Sequence, residues 1–110
     1  MAVPYSEASD VMTILQTTDE TLETEIEGCI TTVDAMIDNV LSEHDLTVPE
    51  TVPQNIEDAS AHFAAWLFRH RRDPGGAAPF KEEAELFLAT YLETQGAGES
   101  EVAFRVVSDQ

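Results

Sequence analysis

The sequence predicts an all-α fold: a small bundle of three main helices plus a short N-terminal helix, with an extended, strand-like C-terminal tail. Three observations predict it. Apolar residues recur every three to four positions through most of the chain, the period of a helix with one buried face. Segments rich in proline and glycine, "HDLTVPETVP" and "DPGGAAP", interrupt that pattern at two points. Beyond Gly98 the helical period is replaced by "VAFRVV", a run of strand-forming residues. A chain of 110 residues holds one modest core, so residues 1–95 are expected to form the helical domain and 96–110 the tail.

The first helix is expected over residues 6–15, "SEASDVMTIL", with Ser6 as N-cap and Glu7 and Asp10 in the first turn, where the helix dipole favours acids. The second spans 18–43. Leu22, Ile26, Cys29, Ile30, Val33, Met36, Ile37, Val40 and Leu41 form its apolar face, and Thr17 with Glu20 fits a capping box. Each proline of the following loop disfavours helix in the residue before it. Pro53 suits the first turn of the third helix, which carries Ile56, Ala59, Phe63, Trp66 and Leu67 inward. Ser60, Ala61, Ala64 and Ala65 are small enough to let another helix approach closely. Pro79 opens the last helix, with Phe80, Ala84, Phe87, Leu88, Tyr91 and Leu92 on its apolar face, and Gly96 and Gly98 stop it. The expected core is built on Leu22, Ile26, Ile30, Val33, Ile37, Phe63, Trp66, Leu67, Phe87 and Tyr91.

Charge separates this chain from ordinary small domains. It has 22 acidic residues against five Lys and Arg, a formal net charge of −17, one lysine (Lys81) and eleven threonines. Such a surface suits a solvent full of cations. At 1 M salt the Debye length falls to about 3 Å, so self-repulsion is screened. The composition points to a halophilic source, the plainer alternative being an ordinary acidic protein. Free nucleic acid is a poor partner for the surface as a whole, because phosphate binding needs many more cations. The N-terminus "MAVPYSEASD" has neither the basic region nor the apolar run of a signal peptide, and no apolar run is long enough to cross a membrane.

Motifs for catalysis are missing from the pattern. The single cysteine, Cys29, allows no intrachain disulfide and no cysteine-based zinc site, and its place in an apolar helical pattern reads as core. No Glu-x-x-His occurs, and His44, His62 and His70 lack matched ligand spacing, so no metal is expected. Glu23 with Glu27 and Glu82 with Glu85 share helix faces opposite the apolar stripes, which reads as solvated acid. Asp58 and His62, one turn apart, read as a surface pair and not an acid–base dyad. "DPGGAAP" has neither the lysine nor the preceding strand of a phosphate loop. No enzyme and no cofactor are expected.

The order of elements resembles the head–tail connector, or adaptor, proteins of tailed viruses. Members of that family often open with Tyr-Ser/Thr followed by an acid and Val or Leu, and Tyr5, Ser6, Asp10 and Val11 match. The Pro-x-x-Ile start and alanine-rich body of the following helix match in Pro53, Ile56, Ala59, Ala61, Ala64 and Ala65. The acidic composition adds a virus of a halophilic archaeon as the source. The resemblance implies a structural virion protein that forms a ring, typically of twelve subunits, beneath the portal. The ring would extend the channel for double-stranded DNA, without sequence-specific binding, and dock the next neck or tail-completion protein. It implies a place in the virion neck between capsid and tail, reached through assembly in the host cytoplasm, with no membrane partner. A small acidic helical regulator binding a basic protein is the alternative, and a helical-bundle nucleotide or metal hydrolase the weaker one.

Two segments then become candidate sites. Arg69, Arg71 and Arg72 concentrate three of the five cations at the end of the third helix, where they complement the exposed carbonyls. In a ring of acidic subunits they are expected at the subunit interface. Intrachain pairing and DNA contact are the other readings. In the tail, Val102, Ala103, Phe104, Arg105, Val106 and Val107 put apolar groups on both sides of an extended strand. The resemblance implies that this segment binds the portal, and its composition suggests strand addition to a sheet edge. Folding back on its own bundle is the alternative.

Overall fold

The computed structural model describes residues 4–95. It contains four α-helices, α1 (Ala8–Leu15), α2 (Glu23–Glu43), α3 (Gln54–His70) and α4 (Ala78–Thr94), and no strand among the described residues. The all-α class and the order of one short and three long helices agree with the sequence expectation. The tail, residues 96–110 with the six positions from Val102 to Val107, lies outside the described residues.

Local chemistry moves two of the expected helix starts. Ser6 is not the cap of α1: it is buried, and Glu7 takes the cap position, with its backbone N–H donated to the Asp10 carboxylate at 3.1 Å. Thr17 and Glu20 do not form a capping box. Thr17 Oγ1 instead accepts the Asp19 N–H at 3.2 Å, and Asp19 accepts both the backbone N–H and the hydroxyl of Thr21 at 3.0 and 2.6 Å. These bonds hold a single tight 3-10 turn, Glu20–Leu22, that feeds directly into α2. An aspartate two residues before a free N–H is the better-placed acceptor, which is why Asp19 prevails. α1 ends at Gln16 in the left-handed region (φ 61°), and the turn after α2 places Asp45 there (φ 59°). Pro53 is extended and precedes Gln54, the first helical residue, while Pro79 sits inside the first turn of α4.

α3 is the helix on which all the others pack: α1 and α2 lie against it on one part of its circumference and α4 on another. The small residues make this possible. Ala59, Ser60, Ala64 and Ala65 are fully buried and Ala61 nearly so. Ile26, Cys29, Ile30, Val33, Ile37 and Leu41 of α2 fill the core on one flank, and Ala84, Leu88, Tyr91 and Leu92 of α4 fill it on the other. Val11 and Leu15 of α1 complete it.

Four expected core residues, Leu22, Trp66, Leu67 and Phe87, are only half-buried, and Met36 is 39% exposed. Phe68, not Trp66, is the deeply placed aromatic at the end of α3, at 5% exposure. The physical reason is that α3 carries apolar or small residues over most of its surface. Periodicity then marks it as buried without saying which side of Trp66 meets a neighbour.

Phe63→Ala should therefore cost about 3–5 kcal/mol, and Trp66→Ala clearly less, in denaturant titrations run in molar KCl. Gly28 lies in the middle of α2 on its exposed face, with nothing within 4 Å of a β-carbon placed there. Gly28→Ala should raise stability by about 0.5–1 kcal/mol, read as a higher denaturation midpoint at unchanged slope.

Candidate interaction surface

The arginines sit where α3 ends and the chain turns toward α4. Arg71 caps α3, donating its N–H to the Leu67 carbonyl at 3.3 Å, and Arg72 donates its N–H to Arg69 at 2.9 Å. This tight exit sends Arg71 and Arg72 toward α2 and Arg69 toward α4. The Arg72 fork meets both oxygens of Glu25 on α2, at 3.0 and 2.6 Å, and lies 3.8 Å above the Phe68 ring. Its Nη1 also donates to the Phe68 carbonyl at 3.1 Å, answering an acceptor that the helix end leaves open. Arg71 lies 3.9 Å from the same carboxylate and donates to Cys29 Sγ at 3.6 Å. The Arg72 hydrogen bonds hold the Glu25 carboxyl below its ordinary value, and burial pushes the Cys29 thiol up.

Arg69 has a different setting. Its guanidinium lies 5.7 Å from the centroid of Phe80, in the first turn of α4. Next to it, Lys81 Nζ stands 5.3 Å from the Trp66 ring, and His70 lies 5.5 Å from Trp66. The turn between α3 and α4 thus adds Lys81 to the cluster. The result is one corner with two kinds of cation: Arg71 and Arg72 turned inward to Glu25, and Arg69 and Lys81 laid over half-buried rings. Neither Arg69 nor Lys81 has a carboxylate within 4.0 Å among the described residues.

Near the middle of α3 a polar latch ties the chain start to two helices. Tyr5 N–H donates to Asp34 Oδ2 at 2.8 Å, and the Tyr5 hydroxyl donates to Asp38. Ser60, fully buried on α3, donates to Asp34 Oδ1 at 2.6 Å. Its one proton is then committed, so the 2.7 Å contact between Ser6 and Ser60 has the Ser6 hydroxyl as donor. Burial raises the Asp34 carboxyl above the usual range, against the lowering effect of these hydrogen bonds. Burial, with the charges of Asp38 and Asp34, pushes the Tyr5 hydroxyl up as well.

Beside the latch, α1 and α3 border a groove of about 240 Å³ lined by Asp10, Thr13, Ile14, Gln54, Glu57, Asp58, Ala61 and His62. Partial burial, then the charges of Asp10, Asp58 and Glu7, raise the Glu57 carboxyl. His62 Nδ1 donates to the Asp58 backbone carbonyl at 2.8 Å, and its ring meets Phe87 at 5.2 Å. The Asp58 carboxylate accepts instead from Gln54 at 3.0 Å. The two side chains form neither a dyad nor a surface pair. No group of three or more His, Cys, Asp or Glu side chains fit to hold a metal ion occurs among the described residues.

No family model, curated protein or solved structure matches this chain. The structure places Arg69, Arg71 and Arg72 on one corner, as their spacing implied, but gives Arg72 an intrachain partner. Sequence reasoning did not single out Glu25, Asp34 or Asp38. A carboxylate one helical turn from the apolar stripe was the available signal for Asp34. It also missed Lys81, which only the α3–α4 turn brings into place.

The pH dependence separates the two acids. Folded Asp34 keeps its proton at pH values where the unfolded chain has lost it, so its contribution to stability falls as pH rises through the folded value. The melting temperature of the wild type relative to Asp34→Asn should decline as pH rises from the ordinary aspartate value through the raised folded one. Glu25 has the opposite sign. Its contribution is present above the ordinary glutamate value and is lost as pH falls through its lowered folded value, so Glu25→Gln should lose least, relative to wild type, in acid.

Proposed function

We propose that this chain is a head–tail connector subunit of a tailed virus from a high-salt environment, acting as a structural ring component and not as an enzyme. The observation that carries the reading is where the residues of the resemblance fall. Tyr5 and Ser6 form the latch to Asp34, Asp38 and Ser60, Asp10 closes the first turn of α1, and Val11 is fully buried. Pro53 starts α3, and Ile56, Ala59, Ala61, Ala64 and Ala65 form its buried face. A chance likeness in composition would scatter over the surface. Here Tyr5 and Ser6 are tied to α2 and α3, and the matched apolar residues of α1 and α3 are buried, so the likeness falls on residues that hold the helices together.

In this reading a ring, of twelve copies in the family's usual form, sits under the portal, carries double-stranded DNA through its channel and docks the next neck protein. A channel lined by acids repels phosphates and lets DNA slide. Residues 102–107 would anchor the ring by adding a strand to a portal sheet, with Phe104 and the valines in alternate pockets.

Co-expression with the portal protein of the same genome, in molar KCl, tests the assignment. A ring should co-purify with the portal, and truncation after Gly98 should abolish that binding while leaving the helical circular dichroism unchanged. Retention of portal binding by the truncated chain would remove the tail as anchor, and no portal binding by the full chain would remove the assignment. The ring should loosen when dialysed to about 0.01 M salt, where the Debye length approaches 30 Å and the −17 charge of each chain acts across whole subunits.

A further inference from the structure

The four cations of the described residues divide into two pairs with different roles. Arg71 and Arg72 are engaged by Glu25 within the chain. Arg69 and Lys81 rest over Phe80 and Trp66 with no carboxylate within 4.0 Å among the described residues. A cation laid over a half-buried aromatic ring combines apolar area, a fixed position and an unneutralised charge. Trp and Arg in that setting are the residue types that dominate binding energy at protein interfaces. The remaining surface is strongly acidic, so a second copy necessarily offers complementary charge.

We propose that the face formed by Trp66, Arg69, His70, Phe80 and Lys81 docks onto a second copy of this chain, seating in that copy's groove between Asp10, Glu57 and Asp58. The groove has an apolar part, Ile14 and Ala61, as well as its acids, which matches the mixed character of the aromatic face. Asp10, Glu57 and Asp58 line it together; partial burial first, and then the charges of its neighbours, raise the Glu57 carboxyl, and an incoming cation offsets that crowding of like charge. One chain cannot satisfy itself. Glu57 and Arg69 lie twelve residues apart on a rigid helix, about 18 Å at 1.5 Å per residue. The two faces are unlike, so the contact joins copies in series, the geometry that gives a ring where the rotation between copies closes. The inference rests on the ring reading above for choosing a like copy over another acidic protein.

Charge exchange tests it. One variant carries Arg69→Glu with Lys81→Glu, the other Glu57→Arg with Asp58→Arg. In about 1 M KCl the Debye length is near 3 Å, so only charges in contact discriminate between partners. Light scattering after size exclusion should show wild-type chains associating, each variant alone weakened at least about tenfold, and an equimolar mixture of the two restored. Circular dichroism checks that each variant is folded. If a reversal unfolds the chain, Arg69→Gln with Lys81→Gln should still weaken association. A monomeric wild type, variants that associate like wild type, a mixture that fails to recover, or a closed species of two copies would each overturn the proposal. So would association that appears only after truncation at Gly98, since the chain's own tail would then be the occupant. Portal co-purification is read separately: copies that associate through this face without binding a portal would retain this inference and remove the connector assignment.

Discussion

The close approach of three helices to the small-residue body of α3 is the constraint from which the rest of the structure follows. Interhelical distances of about 8–10 Å are set by the side chains at the contact. With Ala59, Ser60, Ala64 and Ala65 fully buried, the long apolar side chains come from the neighbours, Ile26, Ile30 and Ile37 on α2 and Leu88 and Leu92 on α4. Ser60 adds a second function at the same point. It is small enough for the contact, and its hydroxyl links Asp34 on α2 to Ser6 at the entry to α1. An alanine there would keep the packing but leave one Asp34 oxygen and the Ser6 hydroxyl without that partner, and buried polar groups are costly when unpaired. Packing and polar satisfaction therefore meet in one residue.

The same central helix organises the electrostatics. Most of the acids among the described residues face water, where salt screens their repulsion, and two of the less exposed ones, Asp34 and Glu25, have donors. Asp34 meets a backbone N–H and a hydroxyl, and Glu25 meets a guanidinium fork. The scarce cations collect where α3 hands over to α4. There the helix end exposes carbonyls, the dipole favours positive charge, and Phe68, Phe80 and Trp66 supply ring faces. Arg72 shows how one residue answers several of these demands, since it pairs with Glu25, covers the Phe68 ring and donates to the Phe68 carbonyl at once. Among the described residues its neighbour Arg69 meets a ring and no carboxylate within 4.0 Å.

Much of the fold was legible from the chain because its signals are local. The alternation of apolar and acidic residues along α2 places Ile26, Ile30, Val33, Ile37 and Leu41 on one face, and all five are buried. Prolines and glycines mark the breaks, since the loop before Pro53 and the turn at Asp73–Gly76 contain the residues least able to continue a helix. The site was less legible. The arginine cluster is visible as letters, but Glu25 lies more than forty positions from Arg72, and nothing in its surroundings marks it among so many acids. Ser6 reads as a helix cap because serine before an acidic first turn usually is one. Here a partner 54 residues away, Ser60, takes its hydroxyl instead.

By itself, then, the sequence determined the helical class, the number and order of helices, the apolar faces of α2 and α4, and the concentration of positive charge at the end of α3. Each of these depends on neighbours within a few turns, where period and backbone preference act directly. Tertiary structure alone decided which side of α3 meets which helix, so that Phe68 went inside and Trp66 to the edge. It also decided which acids are partners and which are solvent, and that Lys81 joins Arg69 over a shared aromatic surface. A helix small and apolar over most of its circumference carries no preferred face of its own. The faces of α3 were assigned by what packed against it.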